Sequence, residues 1–213
     1  MSARILLVDD HEITRQGARS LFEKESGIEI VAEAGDGRTA VALVSKHLPE
    51  IVVMDIGLPD LNGIEATRQI RAREPSVKVV ALSARTDRRY VAAMLQAGAS
   101  GYVLKAVAHE LVEAIREVRA GRKYVSPQLV DSLVTDYAQR LADGAEPPLL
   151  TAREREVLQL IAEGKTSAQI AAQLNVVDKT VGNHRQNLKK KLGLNGVAEL
   201  TKYAIREGIT SLD

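Results

Sequence analysis

Carboxylate side chains follow two apolar segments of the sequence, where acidic residues would end buried strands. Asp9 and Asp10 come directly after residues 5–8, and Asp55 comes directly after residues 51–54. A carboxylate can attack a phosphoryl group to form an acyl phosphate, and this transfer needs mainly positioning and charge neutralisation. The pattern therefore predicts a phosphoryl-accepting site in which Asp55 is the nucleophile.

Two further polar residues follow later apolar segments and fit the same chemistry. Lys105 can pair with one phosphoryl oxygen, and the Ser83 hydroxyl can donate to another. Asp9 or Asp10, together with Asp55, can supply the carboxylates that Mg²⁺ prefers. Like charges packed together repel unless a cation is present, so we expect a metal. Each acid alone would equally fit a loop residue that caps a helix, but their combined placement favours a site.

The elements that must position these residues alternate along the first 120 residues. Five apolar segments alternate with five amphipathic ones, which predicts a doubly wound parallel five-stranded sheet of the α/β class with helices on both faces. The ligand of such a sheet lies at the carboxyl ends of its strands. The predicted strands cover 4–8, 28–32, 51–54, 77–82 and 101–104, and the helices cover 12–25, 37–47, 63–73, 87–97 and 108–120.

Composition excludes several classes of protein. The 213 residues are 45% hydrophobic and 27% charged, with 3% aromatic residues and no Cys. Disulfides, thiolate metal sites and a Cys nucleophile are therefore excluded. No apolar stretch approaches the roughly 18 residues that a membrane span needs, and no signal-peptide pattern is present at the N-terminus. We expect a cytoplasmic protein without a membrane partner.

After Gly121 the strand patterns stop, and the rest of the chain is predicted to be helical. A short helix from Pro127 to Leu141 and a linker over 143–148 precede four helices. Thr151 caps the first with Glu154, Ser167 caps a short second helix, and the last two cover 178–192 and 196–207. The second and third form a helix-turn-helix pattern. We predict domains at 1–121 and 148–213, joined by a linker over 122–147.

Positive charge is concentrated in this helical part. From Leu150 onward there are ten Lys and Arg residues against seven acids, although the whole chain carries a net charge of only +1. The cations lie most densely between Lys179 and Lys191. This asymmetry indicates a polyanionic partner for the C-terminal domain.

The N-terminal motifs resemble those of bacterial response-regulator receiver domains over residues 4–120. The resemblance implies a flavodoxin-like receiver in which Asp55 accepts phosphate from a sensor histidine kinase, while Asp9 and Asp10 bind Mg²⁺. It also implies that Ser83 and Tyr102 form a conformational pair, in which the hydroxyl turns toward the phosphate and the ring moves inward. An alternative role for Tyr102 is that of a half-buried strand aromatic. The motifs are Val8-Asp9-Asp10-His11, Met54-Asp55-Ile56-Gly57-Leu58-Pro59, Leu82-Ser83-Ala84 and Leu104-Lys105.

The C-terminal motifs, 150–158 and 179–185, resemble the helix-turn-helix domain of the NarL/FixJ (LuxR-type) family. The resemblance implies double-stranded DNA as the partner and a recognition helix in the major groove. Lys189, Lys190 and Lys191 would equally fit a solvated helix end that the helix dipole favours. The candidate DNA contacts are Lys179, Thr180, Asn183, His184, Arg185, Asn187 and Lys190.

Two positions depart from the pattern of this family. Val177 stands where Ser or Thr usually caps the recognition helix, and Val has no side-chain acceptor. We therefore expect Asp178 to take over the cap and to shift the helix start by one residue. Gly182 lies within the helix and removes a side chain from a position that often faces bases. Both changes affect sequence preference rather than DNA binding as such.

The last helix resembles the dimerisation helix of the family through Val197, Leu200 and Tyr203. We expect a homodimer on activation and therefore a two-fold symmetric DNA site. The alternative is that this apolar face closes a small four-helix core.

Three functions fit the sequence. The leading one is a phosphorylation-controlled transcription regulator that accepts a phosphoryl group on itself and is not a turnover enzyme. A phosphatase of the haloacid-dehalogenase type would need a second Asp where Gly57 stands. The third is a DNA-binding protein with a degenerate receiver, which the complete set of acids, hydroxyl and Lys disfavours.

Overall fold

The computed structural model describes residues 2–131, 133–135 and 150–210. The chain divides into two compact units, residues 1–142 and 143–213. The first unit contains a parallel sheet covered by helices, and the second is helical throughout its described part. The predicted fold class is therefore confirmed for both halves of the chain. No helix within the described ranges is long and apolar enough to cross a membrane.

The sheet of the first unit contains six parallel strands, one more than the sequence predicts. They are ordered β2-β1-β3-β4-β5-β6. The extra strand, β6, has only two residues, too few for an apolar pattern to show in the sequence. It pairs with the edge of β5, where Tyr102 is in register with Val125. The strands are β1 (Ala3–Val8), β2 (Ile28–Ala34), β3 (Ile51–Met54), β4 (Lys78–Ser83), β5 (Gly101–Leu104) and β6 (Tyr124–Val125).

The helices of the first unit follow the predicted alternation. A short 3-10 helix, Lys105–Glu110, leads from β5 into the last crossing helix. The predicted helix at Pro127 to Leu141 is present over 127–131 and 133–135, here α6, and its remainder and the 143–148 linker lie outside the described residues. The other helices are α1 (Glu12–Phe22), α2 (Gly37–His47), α3 (Gly63–Arg73), α4 (Arg88–Gln96) and α5 (Leu111–Arg119).

Alternating side chains of the strands build two apolar layers. Leu6 and Val8 pack on the face that α2, α3 and α4 cover, whereas Ile5 and Leu7 pack on the face that α1 and α5 cover. All four are at most 1% exposed. Burial on both faces explains why the central strands are continuous apolar runs rather than alternating ones. The strand order reverses between β1 and β3, and this switch point is where ligands of such sheets bind.

In its described residues, 150–210, the second unit packs four helices around an aliphatic core. Val157, Ile170, Val181, Leu188 and Leu200 are fully buried together. They come from four different helices, so each helix contributes one apolar face to a single core. The helices are α7 (Ala152–Ala162), α8 (Ser167–Gln173), α9 (Asp178–Leu192) and α10 (Val197–Arg206).

Capping residues set the helix starts in this unit. The predicted capping box of Thr151 and Glu154 is present at α7. The prediction that Ser167 caps α8 is wrong, because Thr166 is the N-cap and forms a capping box with Gln169. The Thr-x-x-Gln spacing satisfies two backbone donors reciprocally, which Ser167 could not do with a residue at that spacing.

Candidate phosphoryl and DNA sites

The strand register brings three of the predicted groups together. Val8 of β1 is paired with Met54 of β3, so the acids that follow these strands lie side by side. Lys105 Nζ lies 2.6 Å from Asp9 Oδ2 and 3.3 Å from Asp55 Oδ1. One cation thus balances two carboxylates that are 1% and 5% exposed.

An acidic cluster extends from these groups to the surface. Ligand atoms of Asp9, Asp10, His11 and Asp55 all lie within 4.8 Å of one another. His11 is a member that the sequence analysis missed, although it follows the two acids directly; its Nδ1 lies 2.8 Å from Asp10 Oδ1. Asp9 Oδ2 is buried and forms no aligned hydrogen bond among the described residues, in spite of its closeness to Lys105. Carboxylates with an unsatisfied buried oxygen are suited to a hard divalent cation.

Burial raises the pKa of Asp55 above its ordinary value, because desolvation disfavours the charged form. Lys105 acts in the opposite direction, and the neighbouring Asp9 adds to the rise. A cation at the cluster would oppose both effects that raise the pKa. The charge balance around Asp55 thus depends on cations.

Close backbone packing positions the loop that follows Asp55. Gly63, the first residue of α3, donates its N–H to the Ile56 carbonyl at 3.1 Å. A Cβ at Gly63 would lie 1.9 Å from the Asp55 carbonyl oxygen, so a larger residue would displace this loop. Asn62 caps the helix by accepting from the Glu65 N–H at 2.9 Å. The start of α3 therefore packs directly against the backbone of Asp55 and Ile56.

Ser83 and Tyr102 meet at the turn that follows β4. The Ser83 hydroxyl is buried and accepts the Arg85 N–H at 3.2 Å. Tyr102 is fully buried, and its hydroxyl donates to the Arg85 carbonyl at 2.8 Å. Burial raises the pKa of Tyr102, while the nearby Ser83 hydroxyl and Arg85 lower it. The ring therefore lies inward, the orientation that the resemblance assigns to one state of the pair.

The recognition helix α9 presents most of the predicted DNA residues at its surface. Lys179, Asn183, Asn187 and Lys190 are exposed. Thr180, His184 and Arg185 are half-buried, and Arg185 donates to the Ser167 hydroxyl at 3.0 Å. Val181 and Leu188 of the same helix are buried. Helical spacing thus separates a polar face from a core face, as a groove-binding helix requires.

One of the three clustered lysines has a structural partner. Lys191 Nζ lies 2.7 Å from Glu154 Oε2, and that carboxylate is only 4% exposed. The pair joins the end of α9 to the start of α7. Of the other two lysines, Lys189 is half-buried and Lys190 is exposed.

The start of α9 differs from the expected one. The prediction that Asp178 caps this helix is wrong: Val177 is the N-cap residue, and no side chain accepts a hydrogen bond there. Asp178 is already the first helical residue. Val177 is 69% exposed, and apart from its chain neighbours and the backbone of its own helix no atom of the described residues lies within 4 Å of a Cβ built on Gly182. The start of α9 therefore has an exposed apolar residue at an N-cap position without a side-chain acceptor, and it has open space around Gly182 about one turn further on.

The predicted dimer residues of α10 are divided between surface and core. Leu200 is 0% exposed and Tyr203 is 8% exposed, and both pack in the core of this unit. Their prediction as dimer contacts is corrected, since helix spacing turns them toward α7. Val197 is 47% exposed and remains available to a partner.

Two known families match the chain, one in each of its two units. The family described as "Response regulator receiver domain" matches residues 5–138, and the family described as "Bacterial regulatory proteins, luxR family" matches residues 148–204. An acidic site at the switch point of a doubly wound sheet, followed by such a helix-turn-helix domain, defines a two-component response regulator that binds DNA. The second of these families is described as one of bacterial regulatory proteins.

Individual relatives extend over nearly the whole chain. The transcriptional regulatory protein MctR of Rhizobium johnstonii is 38% identical over 209 residues, covering 98% of this chain and 95% of its own. The response regulator UvrY of Escherichia coli K12 is 35% identical over 212 residues, covering 98% and 96%. A structure of the RcsB response regulator of Salmonella typhimurium is 26% identical, with a TM-score of 0.60 over 95% of this chain and 97% of that one. The chain belongs to the NarL/FixJ family of response regulators.

Proposed function

We propose that this response regulator is switched by phosphorylation of Asp55 and that the switch controls its binding to DNA. The observation that carries the proposal is the contact of Lys105 with both Asp9 and Asp55 at the β1–β3 switch point. The proposed donor is a sensor histidine kinase. Because the target is the bacterial chromosome, the proposed location is the cytoplasm.

The transfer needs little from the protein beyond charge and position. An Asp55 carboxylate oxygen forms a bond to phosphorus as the P–N bond of phosphohistidine breaks, and the leaving imidazole nitrogen keeps the electron pair and takes up a proton. Lys105 already contacts Asp55 and is placed to pair with a phosphoryl oxygen. The buried Ser83 hydroxyl is the proposed donor to another oxygen.

The acidic cluster is the proposed Mg²⁺ site. Asp9, Asp10 and Asp55 would hold the ion, which neutralises charge on the phosphoryl oxygens when it is bound. His11, within 2.8 Å of Asp10, holds that carboxylate at the edge of the cluster. Without a cation, the carboxylates repel one another and Asp55 is harder to ionise.

The proposed output is a change of state in the receiver that alters the arrangement of the two domains. The phosphoryl group shifts an equilibrium in which Ser83 and Tyr102 take part. The active state forms a homodimer and binds a two-fold symmetric DNA site through α9. Exposed cations and amides on α9, with Val197 on α10, support this output.

Intact mass and size after treatment with a small phosphodonor and Mg²⁺ test the proposal. The full chain should gain one phosphoryl group and elute as a dimer on gel filtration. Asp55→Asn should gain none, whereas Asp131→Asn, which changes an exposed acid of the same unit, should behave as the parent. Equal labelling of the Asp55 variant and the parent would contradict the assignment of the nucleophile.

A further inference from the structure

The backbone of Arg85 joins the two residues of the proposed conformational pair. Its N–H donates to the Ser83 hydroxyl at 3.2 Å, and its carbonyl accepts the Tyr102 hydroxyl at 2.8 Å. Ser83 and Tyr102 are at most 1% exposed. The position of the Arg85 backbone is therefore set by Ser83 and Tyr102, the two residues proposed to respond to phosphorylation of Asp55.

The side chain of Arg85 lies between the phosphoacceptor and helix α4. Its guanidinium carbon is 4.7 Å from the centroid of the Tyr90 ring, and Nη1 is 3.5 Å from the Tyr90 hydroxyl. Nη2 also lies 3.9 Å from the point where a Cβ on Gly57 would stand, and Asp55 Oδ2 lies 3.6 Å from the same point. Glycine at position 57 thus leaves open the space that separates Asp55 from the guanidinium.

When Arg85 is included, cationic side chains lie on two sides of the Asp55 carboxylate. Lys105 contacts Oδ1, and Arg85 borders the space beside Oδ2. A phosphoryl group on Asp55 adds charge and three acceptor oxygens to this space. A guanidinium fork matches such oxygens, and a charge-assisted hydrogen bond is stronger than a partly exposed contact between a cation and a ring.

We propose that Arg85 binds the phosphoryl group on Asp55 and that its guanidinium exchanges the Tyr90 ring for phosphoryl oxygens. This inference rests on the proposed function and names a second cationic ligand for the same site. Tyr90 lies in the first turn of α4 and is 7% exposed. The exchange removes the guanidinium from that ring, so the surface of α4 around Tyr90 changes when Asp55 is phosphorylated.

Calorimetric titration of the full chain with beryllium fluoride, a phosphoryl analogue, in the presence of Mg²⁺ tests this inference. Arg85→Ala should bind the analogue about tenfold more weakly than the parent, with Arg85→Lys between the two. Arg89→Ala is the matched control, since Arg89 pairs with Asp87 on the same turn, and its affinity should be unchanged. Arg85 contacts Ser83 and Tyr102 through backbone atoms, and both substitutions retain those contacts. If the alanine variant nevertheless unfolds, the affinity of the lysine variant decides the question.

A double-mutant cycle tests the exchange itself. Tyr90→Leu removes the competing ring and should tighten binding about twofold or more, but only while Arg85 is present. Equal affinities of Arg85→Ala and the parent would overturn the role of Arg85 and leave the proposed function standing. The same gain from Tyr90→Leu in both backgrounds would overturn the exchange. A parent protein that binds no analogue and gains no phosphoryl mass would overturn the proposed function and this inference together.

Discussion

At the scale of single residues, Lys105 is the group on which the proposed phosphoryl site depends before any phosphate is bound. Its ammonium is the cation within 2.6 Å of a carboxylate that is 1% exposed. Lys105→Ala leaves the Asp9 and Asp55 carboxylates next to each other without the ammonium group that contacts both. Removing one partner of a buried ion pair costs on the order of 3 kcal/mol. We expect a loss of that size in metal-free buffer, measured by urea unfolding of the full chain.

Mg²⁺ should restore part of that stability, because the ion supplies the missing charge to the same carboxylates. The gain on adding Mg²⁺ should be larger for Lys105→Ala than for the parent. Lys46→Ala, which removes an exposed lysine of α2, should show neither the loss nor the larger gain. An equal response to Mg²⁺ in all three proteins would argue against a shared cation site at Asp9 and Asp55.

The sequence allowed Asp9, Asp55 and Lys105 to be assigned to one site because each follows a central strand directly. The carboxyl ends of parallel strands lie at one edge of the sheet, so the residues that follow these strands lie close together. This holds whatever the sequence of the helices that connect the strands. Arg85 could not be found in this way. Its guanidinium reaches the Gly57 side of Asp55 only because the turn after β4 is fixed by Ser83 and Tyr102.

At the scale of elements, the uncapped start of α9 should be open to stabilisation. Val177 occupies the N-cap with extended backbone angles (φ −81°, ψ 150°), but it has no acceptor to offer. Val177→Ser would accept from a backbone N–H of the first turn and should stabilise the second unit by about 1 kcal/mol. Differential scanning calorimetry should show a higher Tm for that unit. Val177→Ala removes the apolar side chain without adding an acceptor, so an equal gain from Ala would disprove capping as the cause.

Glu154 links two helices and should make the second unit sensitive to acid. Burial alone would raise its pKa, but Lys191 and the Thr151 N–H and hydroxyl lower the pKa below the ordinary 4.5. A lowered pKa in the folded state means that the carboxylate stabilises at pH values above 4.5, and that this stabilisation is lost as the pH falls through the folded value.

Glu154→Gln should therefore be less stable than the parent at pH 7, by roughly 1 kcal/mol, because Lys191 and the Thr151 N–H lose the charged oxygen that they contact. The difference should shrink as the pH falls below about 4.5. Amide hydrogen exchange across α7 and α9 of the full chain measures it, with Glu207→Gln as the control for a half-buried acid. A difference that stays constant with pH would argue against the carboxylate as its source.

Element types were predictable from the sequence, but several boundaries depend on contacts that it does not display. The two residues of β6 form a strand because Ser126 donates its N–H to the Tyr102 carbonyl, and its hydroxyl accepts from Leu104. Nothing in their own pattern distinguishes them from a loop. The 3-10 helix after Lys105 likewise shortens the predicted fifth helix, which begins at Leu111.

At the scale of the whole molecule, the chain combines an acidic cluster at one edge of a sheet with a C-terminal part, from Leu150 onward, that carries an excess of positive charge. The excess of three positive charges from Leu150 onward leaves the rest of the chain with a net charge of −2. Opposite net charges before and after Leu150 favour different partners, a metal and phosphate for the first part and a polyanion for the second. Dimer formation would couple them, because two-fold symmetry brings two copies of α9 to one DNA site.

Val197 is the residue through which that coupling can be tested without disturbing the core. It is 47% exposed at the start of α10, whereas Leu200 supports the fold from the same helix at 0% exposure. Val197→Lys places a charge on the proposed dimer surface and should leave the phosphorylated protein monomeric, with unchanged phosphoryl gain by intact mass and an unchanged Tm. Ile13→Lys makes the same change at an 81% exposed position of α1 and should still dimerise. Sedimentation velocity after treatment with the phosphodonor distinguishes the outcomes. A dimer of the Val197 variant would exclude this end of α10 from the interface. Loss of the dimer in both variants would point to a general effect of added charge.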